Sequence, residues 1–194
     1  MWREARNALL YTGAGISTAS GISDYATLKS KQKTSILLAK SANLRGSGRP
    51  TVAHSVLKAV CDRGMVHRWV QQNHDGLPQK AGFPQRKLNE IHGSWFDHRN
   101  PVVTMEGSMR KDLLDRLDHW TETADLVLSL GTSLSGLYAD SLCTGVATRA
   151  STSPSSQDGL GLVIVSLTRT PLDDIAALRI YATIDEVMEM LCTR

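Results

Sequence analysis

Short apolar runs alternate along this chain with segments of helical periodicity. Apolar runs closed by polar residues or glycine predict buried strands over 8–11, 126–130 and 162–165, and residues 66–71 are a further strand candidate. Apolar residues at helical spacing predict helices over 51–63, 110–121 and 184–191. Because buried strands that alternate with helices are typical of parallel sheets, the pattern predicts an α/β fold. We expect a Rossmann-like parallel sheet with helices on both faces.

Two stretches lack such a pattern. Residues 147–161 are rich in serine and threonine and are expected to form a loop. The stretch from Tyr25 to Cys61 has no acidic residue and carries seven lysines and arginines, and its middle, 41–50, is expected to be a mobile loop. This basic stretch is interpreted either as a solvated face or as an electropositive lid near phosphates.

Composition excludes several classes of protein. The chain has 194 residues, 41% of them hydrophobic and 21% charged, which fits a single folded domain over 1–194. A net charge of +3 is too small to indicate a nucleic-acid partner without a local patch. No apolar run is long enough for a membrane span, and the start lacks a signal-peptide pattern. We therefore expect an intracellular protein, in cytoplasm or nucleus, with no membrane partner.

Cysteine and histidine spacing gives no support for a bound metal. The three cysteines are Cys61, Cys143 and Cys192, and no two of them form a CxxC pair. The six histidines show no close-set ligand pattern either. The sequence therefore predicts buried reduced thiols and no metal site.

Polar residues collect where the predicted strands end. They lie at 13–17, 73–75, 131–133 and Ser166. Because ligands of open α/β sheets bind beyond the carboxyl ends of the strands, these residues predict one shared crevice. In its first loop, Gly13 and Gly15 would let backbone N–H groups approach an anion, and Ser17 or Thr18 would cap a helix over 16–20.

This glycine loop alone is weak evidence, since a plain tight turn is the commoner explanation of a GxG sequence after a strand. A full dinucleotide fingerprint would have a third glycine where Thr18 stands, and an acidic residue about twenty positions later. The acid-free stretch excludes that acid, which disfavours a hydride-transferring dehydrogenase. There is also no GxxxxGK[ST] sequence, so a P-loop nucleotidase is excluded.

Five motifs in order nevertheless resemble one family. Residues 13–25, GAGISTASGISDY, resemble the cofactor loop of the sirtuins, the NAD-dependent protein deacylases. The later motifs are Pro50-Thr51 with His54, QNHDGL at 72–77 with Ala81-Gly82, EIHG at 90–93, and Ala124-Asp125 with GTSL at 131–134. The resemblance extends from about residue 9 to residue 191.

The resemblance implies an NAD site with assigned roles. His92 would be the general base, and Asn73 would orient hydroxyls and a water without adding charge. An acyl-lysine oxygen would attack the ribose and expel nicotinamide, after which His92 would deprotonate a ribose hydroxyl. The implied cofactor-binding residues are Gly13, Ala14, Gly15, Ser17, Asp24, Tyr25, Gln72, Asn73, Asp75, Gly131, Thr132, Ser133 and Ser166.

The chain also departs from the family pattern. Ala26 stands where the family has an arginine, so closure of the cofactor loop is expected to be weaker unless a lysine such as Lys29 compensates. The eight residues 94–101 replace the family's zinc ribbon, and 103–107 poorly copy its substrate strand. The small domain is therefore expected to be reduced to a remnant over 26–50 without a zinc ribbon.

Three functions remain open at this point. The first is an NAD-dependent protein-lysine deacylase, with an acyl-lysine protein or peptide as its substrate. The second is an NAD-cleaving ADP-ribosyltransferase or NAD glycohydrolase, and the third is a non-catalytic NAD-binding module. We expect a monomer that does not bind nucleic acid directly.

Overall fold

Six strands form one parallel sheet in the described part of the chain. The computed structural model describes residues 1–22, 48–104, 107–136, 138–152 and 159–193. The sheet order is β3-β2-β1-β4-β5-β6, and each neighbouring pair is parallel. The strands are β1 (Ala8–Thr12), β2 (Arg68–Gln71), β3 (Leu88–Glu90), β4 (Leu126–Leu130), β5 (Gly161–Val165) and β6 (Leu178–Ile180).

Helices connect these strands. The α-helices are α1 (Val52–Asp62), α2 (Leu77–Lys80), α3 (Lys111–Thr123), α4 (Ser141–Thr152) and α5 (Ile184–Cys192). Short 3-10 helices span Trp2–Glu4, Ala14–Ser20, Gln85–Lys87, Tyr138–Asp140 and Asp173–Ile175. The described residues contain no helix that is both long and apolar enough to cross a bilayer.

Helices cover both faces of the sheet, as the sequence predicts. Side chains alternate across β1, so Leu10 belongs to the core under α1 and α5. Leu9 and Tyr11 belong to the opposite core, under α3 and α4. Because both faces of the central strands are buried, these strands carry continuous apolar runs rather than alternating ones.

The predicted strands and helices are confirmed, two local expectations are wrong, and two short strands were not predicted. The expected loop at 147–161 is partly helical, because α4 extends to Thr152. The segment after β1 is a 3-10 helix, Ala14–Ser20, capped by Gly13 without a side-chain hydrogen bond. Neither Ser17 nor Thr18 therefore caps it. The short strands β3 and β6 were not predicted, since three residues carry too little pattern.

The chain reverses its direction of travel across the sheet at β1. The strands β2 and β3 lie on one side of β1, and β4, β5 and β6 lie on the other. The connections that follow β1 and β4 therefore run to opposite faces of the sheet, and ligands of open α/β sheets bind at such a switch point. This edge of the sheet carries the polar residues that the sequence analysis selected.

Candidate functional site

The two glycine loops after β1 and β4 pack directly against each other. A Cβ atom at Gly15 would lie 2.7 Å from Gly131 Cα, and one at Gly13 would lie 2.7 Å from Thr132 Cβ. Gly131 also has a φ of +64°, which disfavours other residues. The glycines are therefore required for close contact between backbones.

This packing uses backbone donors that the sequence analysis expected at an anion. The Gly13 N–H donates to the Leu130 carbonyl at 3.2 Å, and the Gly15 N–H donates to the Gly131 carbonyl at 2.8 Å. Any hydrogen bond from this loop to a phosphate must therefore come from groups other than the Gly13 and Gly15 N–H groups. Ala14 is half-buried and Thr18 is exposed.

Ser17, Asn73 and Asp75 form a hydrogen-bonded cluster at the same edge. The Ser17 hydroxyl donates to Asp75 Oδ2 at 2.7 Å, and Asn73 Nδ2 donates to Ser17 Oγ at 3.0 Å. Asn73 Nδ2 also donates to the Gly13 carbonyl at 3.1 Å. Asp75 Oδ1 accepts from the Leu77 N–H at 3.0 Å. The structure thus joins the loops after β1 and β2, as their positions at neighbouring strand ends predict.

Gln72 joins this cluster to the loop after β4. Thr132 Oγ1 donates to Gln72 Oε1 at 3.2 Å. Gln72 Nε2 donates to the Tyr11 hydroxyl and, at 3.3 Å, to Asp140 Oδ1. The Tyr11 hydroxyl itself donates to Asp140 Oδ1 at 2.6 Å. Both sides of the Gln72 amide are therefore bound within the protein.

Sequence reasoning missed two members of this network, Tyr11 and Asp140. Tyr11 lies in the apolar run of β1, where its hydroxyl was not considered. Asp140 stands immediately before α4, a helix that was not predicted. The available signal was a tyrosine at the carboxyl end of a buried strand, because a buried phenol requires a hydrogen-bond partner.

His92 lies in a tight turn directly after β3. The Gly93 N–H donates to the Glu90 carbonyl at 3.0 Å, and the Val103 N–H donates to the His92 carbonyl at 3.0 Å. Gly93 has a φ of +90°, and a Cβ there would lie 2.2 Å from the Pro101 carbonyl oxygen. The short bridge 94–101 therefore closes directly onto the turn that carries His92.

Burial sets the charge state of His92. The pKa of its imidazole is lowered from 6.5, first by burial and then by the neighbouring His74. A backbone hydrogen bond with Gln72 and the charge of Asp140 raise the pKa and oppose this shift. The imidazole is therefore neutral at neutral pH and able to accept a proton.

The remaining predicted residues are distributed around this edge. Thr132 is buried and Ser133 is exposed in the loop after β4, and Ser133 Oγ lies 2.5 Å from Ser135 Oγ. Ser166 follows β5 and is buried, with its carbonyl accepting from Arg179 at 3.0 Å. Asp24, Tyr25 and most of the predicted loop 26–50, including Ala26, lie outside the described residues.

Comparisons with known proteins agree with this architecture. A parallel sheet with polar loops at its switch point defines the nucleotide-binding class of α/β proteins. The family model described as "Sir2 family" matches residues 29–100. The mouse "NAD-dependent protein deacetylase sirtuin-7" is 31% identical over 237 residues, which cover 97% of this chain and 56% of the relative. A rice relative, "NAD-dependent protein deacetylase SRT1", is 28% identical over 232 residues, covering 97% and 45%.

Solved structures show the same fold. The complex "Sir2-p53 peptide-NAD+" has a TM-score of 0.80 at 24% identity, covering 99% of this chain and 94% of that one. "Structure of Sir2Tm bound to a propionylated peptide" has a TM-score of 0.80 at 25% identity, with the same coverage. The chain belongs to the Sir2, or sirtuin, family. It spans about half the length of the curated relatives it matches.

Proposed function

We propose that this chain is an NAD-dependent protein-lysine deacylase that transfers an acyl group from lysine to ADP-ribose. The observation that carries the proposal is the convergence of three loops at one sheet edge. A neutral, half-buried His92 follows β3, Asn73 follows β2, and the glycine loop follows β1. The names of relatives support it, since the mouse and rice proteins are called NAD-dependent protein deacetylases.

The residues at this edge fit NAD. Asn73 brings a neutral amide to this edge, which suits ribose hydroxyls and a carboxamide, and the buried hydroxyls of Ser17 and Thr132 hold Asn73 and Gln72 in place. Asp75 is only 3% exposed and is committed to protein donors, so it acts by holding Ser17 and the start of α2 in place.

NAD, consumed as a second substrate, would supply an electrophilic ribose carbon and a hydroxyl that receives the acyl group. His92 would take the proton from that hydroxyl on its unprotonated ring nitrogen. Asn73 would orient hydroxyls beside it, because an amide adds no charge next to a developing positive centre. We assign the remaining contacts with NAD to the other cofactor-binding residues that the resemblance implies, including Ser133 and Ser166.

A second candidate is transfer of ADP-ribose to water or to another acceptor. The short bridge 94–101 favours it. The bridge closes onto the His92 turn, and from the sequence we expect it to stand in place of the family's zinc ribbon. The part of the site that would bind the acceptor therefore differs from the family pattern more than the part that would bind NAD. The domain limits, the monomeric state, the intracellular location and the absence of nucleic-acid or membrane partners stay predictions.

One incubation separates these functions. The purified chain is mixed with NAD and an acetyl-lysine peptide, and the products are identified by mass spectrometry. Acetylated ADP-ribose with deacetylated peptide supports the proposal, whereas free ADP-ribose with an unchanged peptide supports the second candidate. Unchanged NAD would contradict both and leave a binding module. His92→Ala serves as the control for activity from contaminating enzymes.

A further inference from the structure

We propose that His74 is a positioning residue, which holds the turn of His92 against the loop that carries Asn73. The inference deepens the proposed function, since it rests on His92 and Asn73 acting beside the same ribose. His74 stands between Asn73 and Asp75, and the family resemblance gives it no role.

A hydrogen bond joins the His74 ring to Gly93, the residue that follows His92. His74 Nδ1 lies 2.9 Å from the Gly93 carbonyl oxygen. Because a carbonyl oxygen can only accept, Nδ1 carries the proton and the ring is the donor. The Gly93 N–H donates to the Glu90 carbonyl at 3.0 Å, so the turn is fixed to β3 on one side and to His74 on the other.

The backbone of His74 makes a second contact with the bridge 94–101. Its carbonyl accepts from the Trp95 N–H at 3.0 Å, and the two rings lie with centroids 6.0 Å apart and planes inclined by 50°. His74 thus donates to Gly93 through its ring and accepts from Trp95 through its carbonyl. Because the two bonds run in opposite directions, they restrain the two segments against sliding past each other.

Phe96 adds a packing contact between the same segments. Its ring lies so close to Gly76 that a Cβ atom at Gly76 would be 2.9 Å from Phe96 Cδ2. Gly76 also has a φ of +64°, so two features of this position disfavour any other residue. The bridge is therefore packed against both ends of the segment 74–76.

The loop on the other side of these contacts is itself fixed. Asn73 Nδ2 donates to Ser17 Oγ at 3.0 Å, and Asp75 Oδ2 accepts from the Ser17 hydroxyl at 2.7 Å. Both neighbours of His74 are therefore bound to the loop after β1. His74 connects this fixed loop to the turn of His92, and it thereby sets where His92 stands relative to Asn73.

The test compares two substitutions in the full chain. His74→Ala removes the donor, whereas His74→Asn keeps one, because the Asn Nδ2 group branches from Cγ as the His Nδ1 group does. In His74→Ala we expect kcat with NAD and an acetyl-lysine peptide to fall by about tenfold or more, since a displaced catalytic group loses much of its effect. The affinity for NAD by calorimetry should change little, because the contacts of Asn73 and Asp75 remain. His74→Asn should recover most of kcat.

His98→Ala is the matched control. It changes an exposed histidine on the same bridge, and it should leave kcat and NAD affinity as they are. An unchanged kcat in folded His74→Ala would overturn the proposal, as would a His74→Asn variant that is as slow as His74→Ala. Parallel falls in kcat, NAD affinity and unfolding midpoint would also overturn it, because they would make His74 a merely structural residue.

Amide hydrogen exchange tests the role of His74 without turnover. The Gly93 and Val103 N–H groups close the two sides of the His92 turn. In His74→Ala they should exchange with solvent several-fold faster, whereas the N–H of Leu128, in the middle of β4, should keep its rate. Unchanged exchange of the turn would overturn the proposal. If the chain cleaves no NAD, the proposed function fails, whereas this exchange still decides whether His74 holds the turn.

The unaltered chain provides a further measurement, which covers the case in which His74→Ala does not fold. Its histidines are labelled with ¹⁵N, and NMR spectra are recorded in mildly alkaline buffer, where an imidazole is neutral. His74 should carry its proton on Nδ1 and not on Nε2, with His74→Asn used to assign the signal. A proton on Nε2 would mean that His74 does not donate to Gly93, and it would overturn the proposal.

Discussion

Ser17 and Asp75 meet in a buried hydrogen bond, in which Ser17 Oγ donates to Asp75 Oδ2 at 2.7 Å. Ser17 is fully buried and Asp75 is 3% exposed. The bond joins the loop after β1 to the loop after β2, 58 residues apart in sequence. It therefore holds together two of the loops on which the proposed NAD site depends.

Removing the Asp75 charge should weaken both the fold and NAD binding. In Asp75→Asn one oxygen becomes an NH₂ group that can no longer accept from Ser17 or Leu77. A hydrogen bond to a buried charge is worth about 1.5–3 kcal/mol, so we expect a loss of that size in urea unfolding. Calorimetry with NAD should show weaker binding under conditions in which the variant is still folded.

Asp62→Asn is the control for this prediction. Asp62 is paired with Lys58 on the surface of α1, and its side chain is 52% exposed. Such a change is expected to alter stability by less than about 0.5 kcal/mol. Equal effects of the two substitutions would mean that the Ser17–Asp75 bond contributes nothing special.

His92→Ala should leave NAD binding intact and abolish product formation. A general base acts after the co-substrate is bound, so the loss should appear in kcat, by about a hundredfold or more. Calorimetry with NAD and the peptide assay measure the two effects separately. His119→Ala, an exposed change on α3, should have no effect on either.

The opposite pattern would make His92 a structural residue. Loss of NAD binding in His92→Ala, or a large fall in its unfolding temperature, would contradict its role as a base. The pH profile gives a second check. Because burial lowers the pKa of His92, activity should persist below pH 6.5 before the base is protonated.

The central strands could be predicted from the sequence, whereas the strands at the two edges of the sheet could not. Continuous apolar runs such as Leu126–Leu130 mark strands that are buried on both faces. The edge strand β6, Leu178–Ile180, has a half-exposed leucine and only three residues, so it carries no such mark. Helix α4 was hidden by Gly145 and its hydroxyl residues, although Leu142, Cys143 and Val146 have helical spacing.

The residues of the candidate site could likewise be predicted only in part. The Ser17 and Asn73 cluster was predictable because both residues follow strands that are neighbours in a parallel sheet. The internal use of the Gly13 and Gly15 N–H groups was not predictable, because it depends on how closely the Gly131 loop approaches them. Asp140 could not be found either, because its place beside Tyr11 exists only after β1 and β4 have paired.

Gly15→Ala should strongly destabilise the chain. Its Cβ would lie 2.7 Å from Gly131 Cα and 2.9 Å from the Gly131 carbonyl oxygen, and both atoms belong to backbone. Neither loop can yield without breaking the Gly15–Gly131 hydrogen bond, so we expect a loss of about 1–3 kcal/mol or more. Urea unfolding of the variant measures it.

Gly145→Ala is the matched control. Its Cβ would meet two side-chain atoms, Thr121 Cγ2 at 3.3 Å and Arg149 Nη1 at 3.9 Å, and the change removes a glycine from the middle of α4. It should be neutral or stabilise the chain by up to about 1 kcal/mol. If Gly15→Ala is as stable as Gly145→Ala, the two loops are not packed as described.

Zinc should be dispensable for this chain. The sequence predicts that 94–101 stands in place of the family's zinc ribbon. The ends of this bridge are joined by the Ser94 N–H, which donates to the Asn100 carbonyl at 2.8 Å. Asn100 Nδ2 also donates to the Glu90 carbonyl at 3.0 Å, which anchors the bridge to the end of β3. We expect less than one zinc per chain by elemental analysis, and an unfolding temperature that EDTA does not change. One zinc per chain, or unfolding in EDTA, would contradict this.

Acid should destabilise the fold through His54. Its ring is fully buried and stacks on Trp69 with centroids 5.8 Å apart. Burial lowers the pKa of His54 from 6.5 to about 4, against the opposing charges of Asp75 and Asp185. Below pH 6.5 His54 is therefore protonated in the unfolded chain, whereas in the folded chain it is not protonated until about pH 4. The free energy of unfolding should fall across this window by up to about 1.4 kcal/mol per pH unit for this one group.

His54→Asn isolates this contribution from those of His67 and His92, whose pKa values are also lowered. Asparagine cannot be protonated, but it retains a polar atom near Nδ1, which lies 2.9 Å from Thr51 Oγ1. The variant should be less stable at pH 7, because the contact with Trp69 is lost, and its stability should depend less steeply on pH between about 6.5 and 4. Urea unfolding at a series of pH values measures both effects, with His119→Asn as the exposed control. An equally steep dependence in His54→Asn would show that His54 is not the group that acid titrates.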